Sequence, residues 1–179
     1  NYNYFVVDET AGITIYALKS DCPAYQVGDV IPGGFRGKLN EYNGNLQIEA
    51  VEDMKESETN APATPAVYAI EEITADMAAS FVRIKDVTIS DVNNRNITLN
   101  DATGAMPAWN RCDLTLPDAA ATVTVDGVVN IYKSGETSTV RIIPVTISVT
   151  SEDENLQVGE KVEVIPGTGE ITVNGADIV

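Results

Sequence analysis

The sequence "YFVVDETAGITIYA" at residues 4–17 and the sequence "NITLNDATGAMPAWN" at residues 96–110 follow one pattern. Each has a run of β-branched or aromatic residues, a polar turn that contains glycine, and a second apolar run. Short runs of this kind, separated by a few turn residues, are typical of β-hairpins. Placing the turn Asp8–Gly12 over Asn100–Gly104 aligns the two copies. The chain therefore carries an internal repeat, and we expect two copies of one β-structure.

The repeat continues further along the chain, where "RGKLNEY" (Arg36–Tyr42) matches "DGVVNIY" (Asp126–Tyr132). Each unit consists of a hairpin, an irregular crossing, a long strand, a tight turn and a final strand. The second unit has one more strand, Phe81–Ile89, before its hairpin. Five strands with a crossing between the third and the fourth are the order of the OB-fold, a small Greek-key barrel. The fold prediction is all-β, with two tandem five-stranded OB-like Greek-key barrels, the first lacking its strand 1, and a short C-terminal β segment.

Strand signals dominate the whole chain, and turn residues separate them. The predicted strands are Tyr4–Val7, Ile13–Ala17, Val30–Asn40, Leu46–Val51, Phe81–Ile89, Ile97–Leu99, Thr122–Tyr132, Val140–Val149, Lys161–Ile165 and Glu170–Val173. A helix is predicted only at Ile70–Ser80 and, more weakly, at Pro117–Ala121. The predicted domains are barrel 1 at residues 1–53 (strands 2–5), a Pro- and Thr-rich linker at 54–66, barrel 2 at 67–151, and the C-terminal segment at 152–179.

The composition excludes several classes of function. The 11 basic and 27 acidic residues give a net charge of -16, which opposes long-range attraction to a polyanion such as nucleic acid. The sequence contains no histidine, so Ser-His-Asp catalysis and histidine-ligated metals are excluded. No stretch is long and apolar enough to be a transmembrane helix. We find no catalytic constellation and expect neither an enzyme nor a cofactor.

The first unit, "YFVVDETAGITIYA" followed by "YQVGDVIPGGFRGKLNEYNGNLQIEAV", resembles the OB-fold modules of exported proteins from Bacteroidetes. Those modules show F-x-x-D-x-T-G-G-I-x-x-Y, x-V-G-D-x-V and G-x-x-x-x-Y-N-G-x-x-Q-I in this order. The sequence "ITADMAASFVRIKDVTI" at residues 73–89 resembles the lead-in of a following module. The resemblance covers residues 4–53 and 67–149, and the second unit departs from the pattern at Met106–Trp109, where "MPAW" stands.

The resemblance implies a location and a class of ligand. The last residues, 158–179, resemble the start of a C-terminal sorting or anchoring domain of the same exported proteins. Export to the periplasm or the cell surface is therefore implied, with a lipid anchor upstream of residue 1 as one form of attachment. Modules of this family are described as nucleic-acid-binding by analogy of fold. The partner is expected to be an extended polymer, either nucleic acid or oligosaccharide, or else another protein for which the chain is a structural spacer.

The candidate ligand-binding residues are the aromatic side chains that a barrel face can present, together with one neighbouring arginine. OB barrels bind ligands across strands 2 and 3 and their flanking loops, where aromatic rings stack on bases or sugars. The candidates are Tyr4, Tyr16, Tyr42, Trp109, Arg111 and Tyr132. Strand alternation with Ile13 and Ile15 inward predicts that Tyr4 and Tyr16 share the exposed face.

The remaining polar features are predicted to be structural. Arg83 and Lys85, with Arg111 and Arg141, are the residues from which a local basic patch would have to be built, but we expect Arg83 and Lys85 to lie instead on a solvated strand face with acidic partners. The acidic segments at 91–96 and 151–157 lack the ligand spacing of calcium loops, so no metal site is predicted. Cys22 and Cys112 occupy equivalent repeat positions, and we expect two buried free thiols rather than a disulfide.

Overall fold

A computed structural model describes residues 1–150 and the backbone of three short strands within 151–179. The chain forms two compact units, Asn1–Val149 and Thr150–Val179. The strands of the first unit are β1 (Tyr2–Val7), β2 (Gly12–Ala17), β3 (Arg36–Tyr42), β4 (Asn45–Glu52), β5 (Ala66–Val67), β6 (Phe81–Asn93), β7 (Asn96–Asn100), β8 (Ala105–Trp109), β9 (Val123–Ser134) and β10 (Thr137–Val149). The all-β prediction is confirmed.

The predicted helices are not present in the described part of the chain. Two three-residue 3-10 turns, Ile70–Glu72 and Ala75–Met77, replace the helix expected at Ile70–Ser80. The Glu72 carboxylate caps the first turn by accepting from the Ala69 N–H at 2.8 Å, but Ile73 and Thr74 have extended backbone conformations and separate the two turns. Neither piece is long enough for a stable α-helix, because the first helical turn is costly to form. Residues 117–121 contain only a turn.

Strands β6 to β10 form a closed five-stranded barrel, which we call the barrel. The strand order is β6-β7-β8-β10-β9, and pairing of β6 with β9 closes it. Strands β8 and β10 run parallel, and the other neighbours in the barrel are antiparallel. Alternate residues of every strand point inward and form one core of Ile, Val, Leu, Met and Ala side chains, including Ile84, Leu99, Val125 and Ile142. Closure therefore leaves no unpaired edge among these five strands.

A glycine and a bulge let the long hairpin β9–β10 coil around the barrel. The register shifts between Pro144 and Thr146, opposite Gly127. A Cβ atom on Gly127 would lie 2.4 Å from Cγ2 of Ile142 and 2.9 Å from the carbonyl oxygen of Ile143. A bulge increases the local twist of a strand, and a glycine accepts the close backbone approach that this twist creates.

Strands β1 to β4 form a separate open sheet, which we call the first sheet. Its order is β1-β2-β4-β3, with β2 and β4 parallel, so it repeats the order β7-β8-β10-β9 of the barrel. The registers agree as well, because Ile15 pairs with Ile48 where Ala108 pairs with Ile142. No strand of residues 1–149 occupies the place of β6, so both β1 and β3 are edge strands.

The structure corrects the repeat alignment of the first hairpin by one residue. The Asp8 carboxylate accepts hydrogen bonds from the N–H and hydroxyl of the threonine two positions on and from the N–H three positions on. Asp101 does the same in the second copy. Asp8 therefore matches Asp101, not Asn100, and Tyr16 matches Trp109. The alignment through Gly12 and Gly104 was wrong because it placed a strand residue of one copy on a turn residue of the other.

The predicted linker, residues 54–66, lies along the crossing segment of the first sheet. Asn60 forms a β-bridge with Asp29, and the Ala61 N–H donates to the Gly28 carbonyl at 2.8 Å. The N–H of Val30 donates to the carbonyl of residue 59 at 3.1 Å. These backbone hydrogen bonds give the segment a defined extended path.

The second unit is described only by three strands, β11 (Val162–Val164), β12 (Ile171–Val173) and β13 (Ala176–Ile178). They form an antiparallel sheet in chain order. Strands β11 and β12 lie within the predicted strands Lys161–Ile165 and Glu170–Val173, whereas β13 was not predicted.

Candidate functional site

The outer face of the barrel carries a groove of about 590 Å³ across β7, β8 and β10, which we call the Trp109 groove. Because Ile97 and Ala108 point into the core, the residues beside them point outward. The polar and aromatic side chains along the groove are Asp91, Asn96, Thr98, Trp109, Tyr132, Thr139 and Arg141. A concave surface that combines ring faces with a few hydrogen-bonding groups is suited to a ligand.

Arg141 lies between two aromatic rings in this groove. Its guanidinium carbon is 4.7 Å from the centre of the Trp109 ring and 4.6 Å from that of Tyr132. The strand register produces this arrangement, since Thr139 is directly opposite Tyr132 and Arg141 is the next outward residue of β10. Arg111 approaches Trp109 as well, at 6.0 Å. Each cation–π contact is worth about 0.5–2 kcal/mol, according to how well water is excluded.

Two asparagines hold the Arg141 side chain. Its Nε donates to Oδ1 of Asn130 at 2.9 Å, and Nδ2 of Asn130 donates to Oδ1 of Asn45 at 3.0 Å. Asn45 begins β4 in the first sheet, just after the tight turn that follows Tyr42. It also accepts from the Ile131 N–H at 2.9 Å and donates to the Ile131 carbonyl at 2.7 Å. The hairpin of the first sheet thereby supports the residue that orients Arg141.

The two arginines next to Trp109 differ from the other arginines in their charge partners. Three arginines pair with carboxylates: Arg36 with Asp53 and Glu52, Arg83 with Asp126, and Arg95 with Asp113. Among the residues that the structure describes, neither Arg111 nor Arg141 has such a partner. Burial lowers the pKa of Arg141, and the nearby Arg111 lowers it further, although Tyr132 opposes this. The groove region therefore holds two arginines that form no ion pair with a described carboxylate, and Asp91 is the acidic residue of its lining.

The structure brings three of the six predicted residues together. Trp109, Arg111 and Tyr132 lie at or next to the groove. Arg141 completes the arrangement; the sequence analysis did not name it as a ligand-binding residue. Arg83 does not join these residues, because its guanidinium forms a bidentate ion pair with Asp126 of β9, at 2.6 and 2.8 Å, which agrees with the expectation of an acidic partner on the strand face.

Tyr16 and Tyr42 occupy the corresponding positions of the first sheet. By the corrected alignment Tyr16 matches Trp109, and Tyr42 matches Tyr132. The residue that matches Arg141 is Gln47, which is buried and donates its side-chain amide to the Glu49 carboxylate. The first sheet therefore keeps two aromatic residues but lacks the cation, so it does not reproduce the charge of the Trp109 groove.

The prediction that Tyr4 shares the exposed face with Tyr16 was wrong. Tyr4 pairs with Ile15, and its ring packs against the core of the first sheet. The Tyr4 hydroxyl donates to the Pro23 carbonyl at 3.1 Å and accepts from the Tyr25 N–H at 3.1 Å. Burial raises the pKa of Tyr4, with the opposing hydrogen bond from Tyr25 as a smaller effect. Its surroundings make Tyr4 a packing residue.

Cysteines and acidic groups do not form a second reactive centre in the described residues. Both cysteines are free; Cys22 is buried as expected, but Cys112 is exposed, which corrects the prediction of two buried thiols. No group of three or more cysteine or acidic side chains is placed to bind a metal ion within the searched part of the chain. The acidic segment 151–157 lies outside the described residues. No helix in the described part of the chain is long and apolar enough to cross a membrane.

No known protein-family model matches the chain, and no curated protein matches it either.

Proposed function

We propose that the chain is a non-catalytic binding module of two tandem OB-like barrels, from an exported bacterial protein, and that its Trp109 groove binds an oligosaccharide bearing carboxylate groups. The strand order of the barrel and its repetition in the first sheet support the OB-fold assignment. Export to the periplasm or the cell surface rests on the resemblance of the sequence to exported modules. Fold alone does not assign a ligand, so the proposal depends on the groove.

One observation carries the choice of ligand. Arg141 is stacked between Trp109 and Tyr132, while its Nη groups have no hydrogen-bond partner among the described residues. A guanidinium held in this way presents two parallel donors that match a carboxylate. Ring faces and apolar surface beside the donors suit the C–H faces of a sugar. An acidic sugar unit combines both features in one residue of a polymer.

Nucleic acid, the ligand implied by the family resemblance, fits the charge distribution less well. Affinity for nucleic acid depends on many phosphate contacts, each of which releases counterions. The described lining of the groove contains one basic residue, Arg141, and one acidic residue, Asp91, and Arg111 approaches Trp109 beside it. The net charge of -16 opposes a polyanion at long range, whereas a short oligosaccharide with widely spaced carboxylates meets less repulsion.

Calorimetric titration with three ligands tests the proposal: a short uronic-acid oligosaccharide, its neutral counterpart, and an oligothymidylate. We expect the uronic-acid oligosaccharide to bind with a shallow salt dependence, equivalent to one or two ion pairs. The neutral sugar should bind more weakly. An oligothymidylate that bound more tightly, with a salt slope of about -0.7 per phosphate contact, would favour nucleic acid instead.

Matched variants connect binding to the groove. Trp109→Ala should weaken binding roughly 10-fold or more, as is typical of a central aromatic residue. Arg141→Lys keeps the charge but loses the planar fork, so it should weaken the acidic sugar selectively. Tyr16→Ala removes the matching aromatic residue of the first sheet, which lacks the cation, and should leave binding unchanged.

A structural or protein-interaction spacer is the second candidate function. The observation in its favour is that Asn45 joins the first sheet to the barrel through Asn130 and Ile131, which makes residues 1–149 one body able to present a neighbouring domain. If none of the three ligands binds at millimolar concentration, and Trp109→Ala changes only stability, the spacer function replaces the binding function.

A further inference from the structure

Arg141 is held at one edge of its guanidinium group. Its Nε–H donates to Oδ1 of Asn130 at 2.9 Å, and Asn130 is the residue directly opposite Arg141 in the β9–β10 pair. A guanidinium that is bound through Nε keeps the fork formed by its two Nη atoms for another acceptor. Asn130 therefore fixes the direction in which Arg141 presents that fork.

The orientation of the Asn130 amide is determined by its two partners. A guanidinium donates hydrogen bonds and never accepts them, so the oxygen of Asn130 has to face Arg141. The amide nitrogen then faces Oδ1 of Asn45, to which it donates at 3.0 Å. A flipped amide would place its nitrogen against the Nε–H donor and its oxygen against the Asn45 oxygen, so only one orientation satisfies both partners.

Asn45 is fixed in turn by the backbone of the barrel. Its oxygen also accepts from the Ile131 N–H at 2.9 Å, and its nitrogen donates to the Ile131 carbonyl at 2.7 Å. A flip of Asn45 would set donor against donor and acceptor against acceptor at these two positions. The hydrogen bonds that lead from the Ile131 backbone to Arg141 therefore have a single direction. We call the two side chains between them, Asn45 and Asn130, the amide relay.

The charge of the group that holds each arginine differs between two positions of β9. Asp126 holds Arg83 with a carboxylate, in an ion pair with two hydrogen bonds of 2.6 and 2.8 Å. Asn130, four residues further along the strand, holds Arg141 with a neutral oxygen. A carboxylate at this position would also orient Arg141, but it would compete with an anionic ligand for the guanidinium. A neutral acceptor orients Arg141 and leaves its charge for the ligand.

The first sheet has an asparagine at the matching position but no cation to orient. Asn40 pairs with Gln47, as Asn130 pairs with Arg141. Gln47 donates its amide to the Glu49 carboxylate, and Asn40 is exposed. Asn40 is therefore a matched control for Asn130.

We propose that Asn130 is a specificity-determining residue of the Trp109 groove, because it directs the Arg141 fork toward the ligand without neutralising it, and that Asn45 of the first sheet fixes Asn130 in this role. Both asparagines are positioning residues, since they act on the ligand through Arg141. The inference rests on the proposed binding of a carboxylate-bearing oligosaccharide. It adds that selection of the carboxylate depends on the amide relay, whereas the aromatic rings make the contacts that acidic and neutral sugars share.

Calorimetric titration of the full chain with two probes measures this selection. The probes are tetragalacturonate and its methyl ester, which have the same sugar rings and differ in charge. Asn130→Ala removes the acceptor for Nε of Arg141. It should weaken the binding of tetragalacturonate roughly 10-fold, as expected for the loss of a hydrogen bond to a charged group, and change the affinity for the ester less than about twofold.

Asn130→Asp is a second variant that is nearly isosteric with the native residue. It keeps an acceptor for Arg141 but pairs the guanidinium with a carboxylate. The preference for tetragalacturonate over the ester should therefore disappear, while the affinity for the ester is retained. The salt dependence of tetragalacturonate binding should fall by the equivalent of about one ion pair.

Asn45→Ala tests the second member of the amide relay. It leaves Asn130 in place without an acceptor for its nitrogen, so it should weaken tetragalacturonate less than Asn130→Ala does, and again more than the ester. Combining the two substitutions should weaken binding no further than Asn130→Ala alone, because residues of one hydrogen-bond network are not additive. Asn40→Ala should leave both affinities unchanged.

The two probes separate failure of this inference from failure of the proposed function. An unchanged preference for tetragalacturonate in both Asn130 variants would overturn the inference and leave the proposed function in place. So would an equal loss of affinity for the two probes, which would make Asn130 a structural residue. Additive losses in the double variant would overturn the role of Asn45. If the native chain binds both probes equally, or neither, the proposed function fails and the inference fails with it.

Discussion

Replacing Asn45 by alanine tests whether the first sheet and the barrel stabilise each other. The substitution removes the three hydrogen bonds of 2.7–3.0 Å that Asn45 makes to the barrel, two to the Ile131 backbone and one to Asn130. It also removes two longer bonds within the turn, to the carbonyls of Asn43 at 3.1 Å and Tyr42 at 3.4 Å. A hydrogen bond contributes about 0.5–1.5 kcal/mol to the free energy of unfolding. Because Asn45 is partly exposed, we take a value in the lower part of this range for each bond to the barrel, which gives a total loss of about 2 kcal/mol. For a unit of this size, the midpoint of thermal unfolding should fall by roughly 4–8 °C.

The assay combines unfolding with the fluorescence of Trp109, which is the single tryptophan of the chain. Without Asn45, Asn130 loses the partner that orients it toward Arg141, so the environment of Trp109 should change even in the folded protein. Asn45→Asp keeps the acceptor oxygen and loses the donor, so its effect should be intermediate.

Asn40→Ala is the matched control, since Asn40 is an exposed asparagine of the same hairpin. It should change the free energy of unfolding by less than about 0.5 kcal/mol. If Asn45→Ala has no larger effect than this control, or if Trp109 fluorescence is unchanged, the coupling between the two sheets is refuted.

Three further predictions concern single residues. Asp8 should titrate near pH 2 in a carbon-detected NMR titration, because hydrogen bonds from the Thr10 side chain and from two backbone N–H groups lower its pKa from 3.8 to about 2. The stabilisation that the ionised carboxylate gives the turn should be complete above about pH 4 and lost as the pH falls to about 2. A titration midpoint near pH 3.8 would contradict the turn geometry. Gly127→Ala should lower the free energy of unfolding in urea by about 1–3 kcal/mol, and by more than Gly37→Ala. The new methyl group of Gly127→Ala meets Ile142, which is fully buried in the barrel, whereas that of Gly37→Ala meets Ile48, which is only half-buried in the first sheet. Equal losses for the two variants would show that the barrel relaxes around the methyl group. Cys112, which is exposed, should react with a thiol reagent at least about 10-fold faster than Cys22, which is buried. Burial and, to a smaller extent, nearby acidic groups raise the pKa of the Cys22 thiol, so less of it is the reactive thiolate. Similar rates of labelling by mass spectrometry would contradict the packing around Cys22.

The positions of the strands were largely predictable from the sequence, because alternation and turn residues report local structure. The predicted strand Val30–Asn40 nevertheless began too early, since β3 begins at Arg36 after an irregular segment. The repeat was found, but its first half was misaligned by one residue. The alignment was based on glycine, which is readily recognised in a sequence. The residue that the two turns share is the aspartate, and its role is recognised only from the hydrogen bonds that it accepts.

The face of β1 could not be determined by alternation alone. Alternation indicates which residues share a face, but both faces of this strand carry large apolar side chains, with Tyr4 and Val6 on one and Phe5 and Val7 on the other. A sheet with one strand fewer than the barrel exposes part of its core face, which weakens the usual contrast between inside and outside. Pairing with Ile15 is what identifies Tyr4 as a core residue.

The candidate site was only partly predictable for a related reason. Trp109, Arg111 and Tyr132 were conspicuous as residue types, and the structure brings them together. The contribution of Arg141 depends on the register of β9 against β10, and that of Asn45 on a contact between residues 86 positions apart in the chain. Registers and long-range contacts arise from tertiary packing, which local patterns do not report.

The unequal sizes of the two cores bear on how the chain folds. Fourteen buried residues form the core of the barrel, but only four, Ile15, Ala17, Cys22 and Val51, form that of the first sheet. The barrel therefore contains enough apolar contact to act as the folding nucleus, whereas the first sheet does not. During synthesis the first sheet leaves the ribosome before the barrel that supports it. We expect it to remain loosely ordered until β9 is available, and the hairpin contact through Asn45 to be among the last native contacts to form.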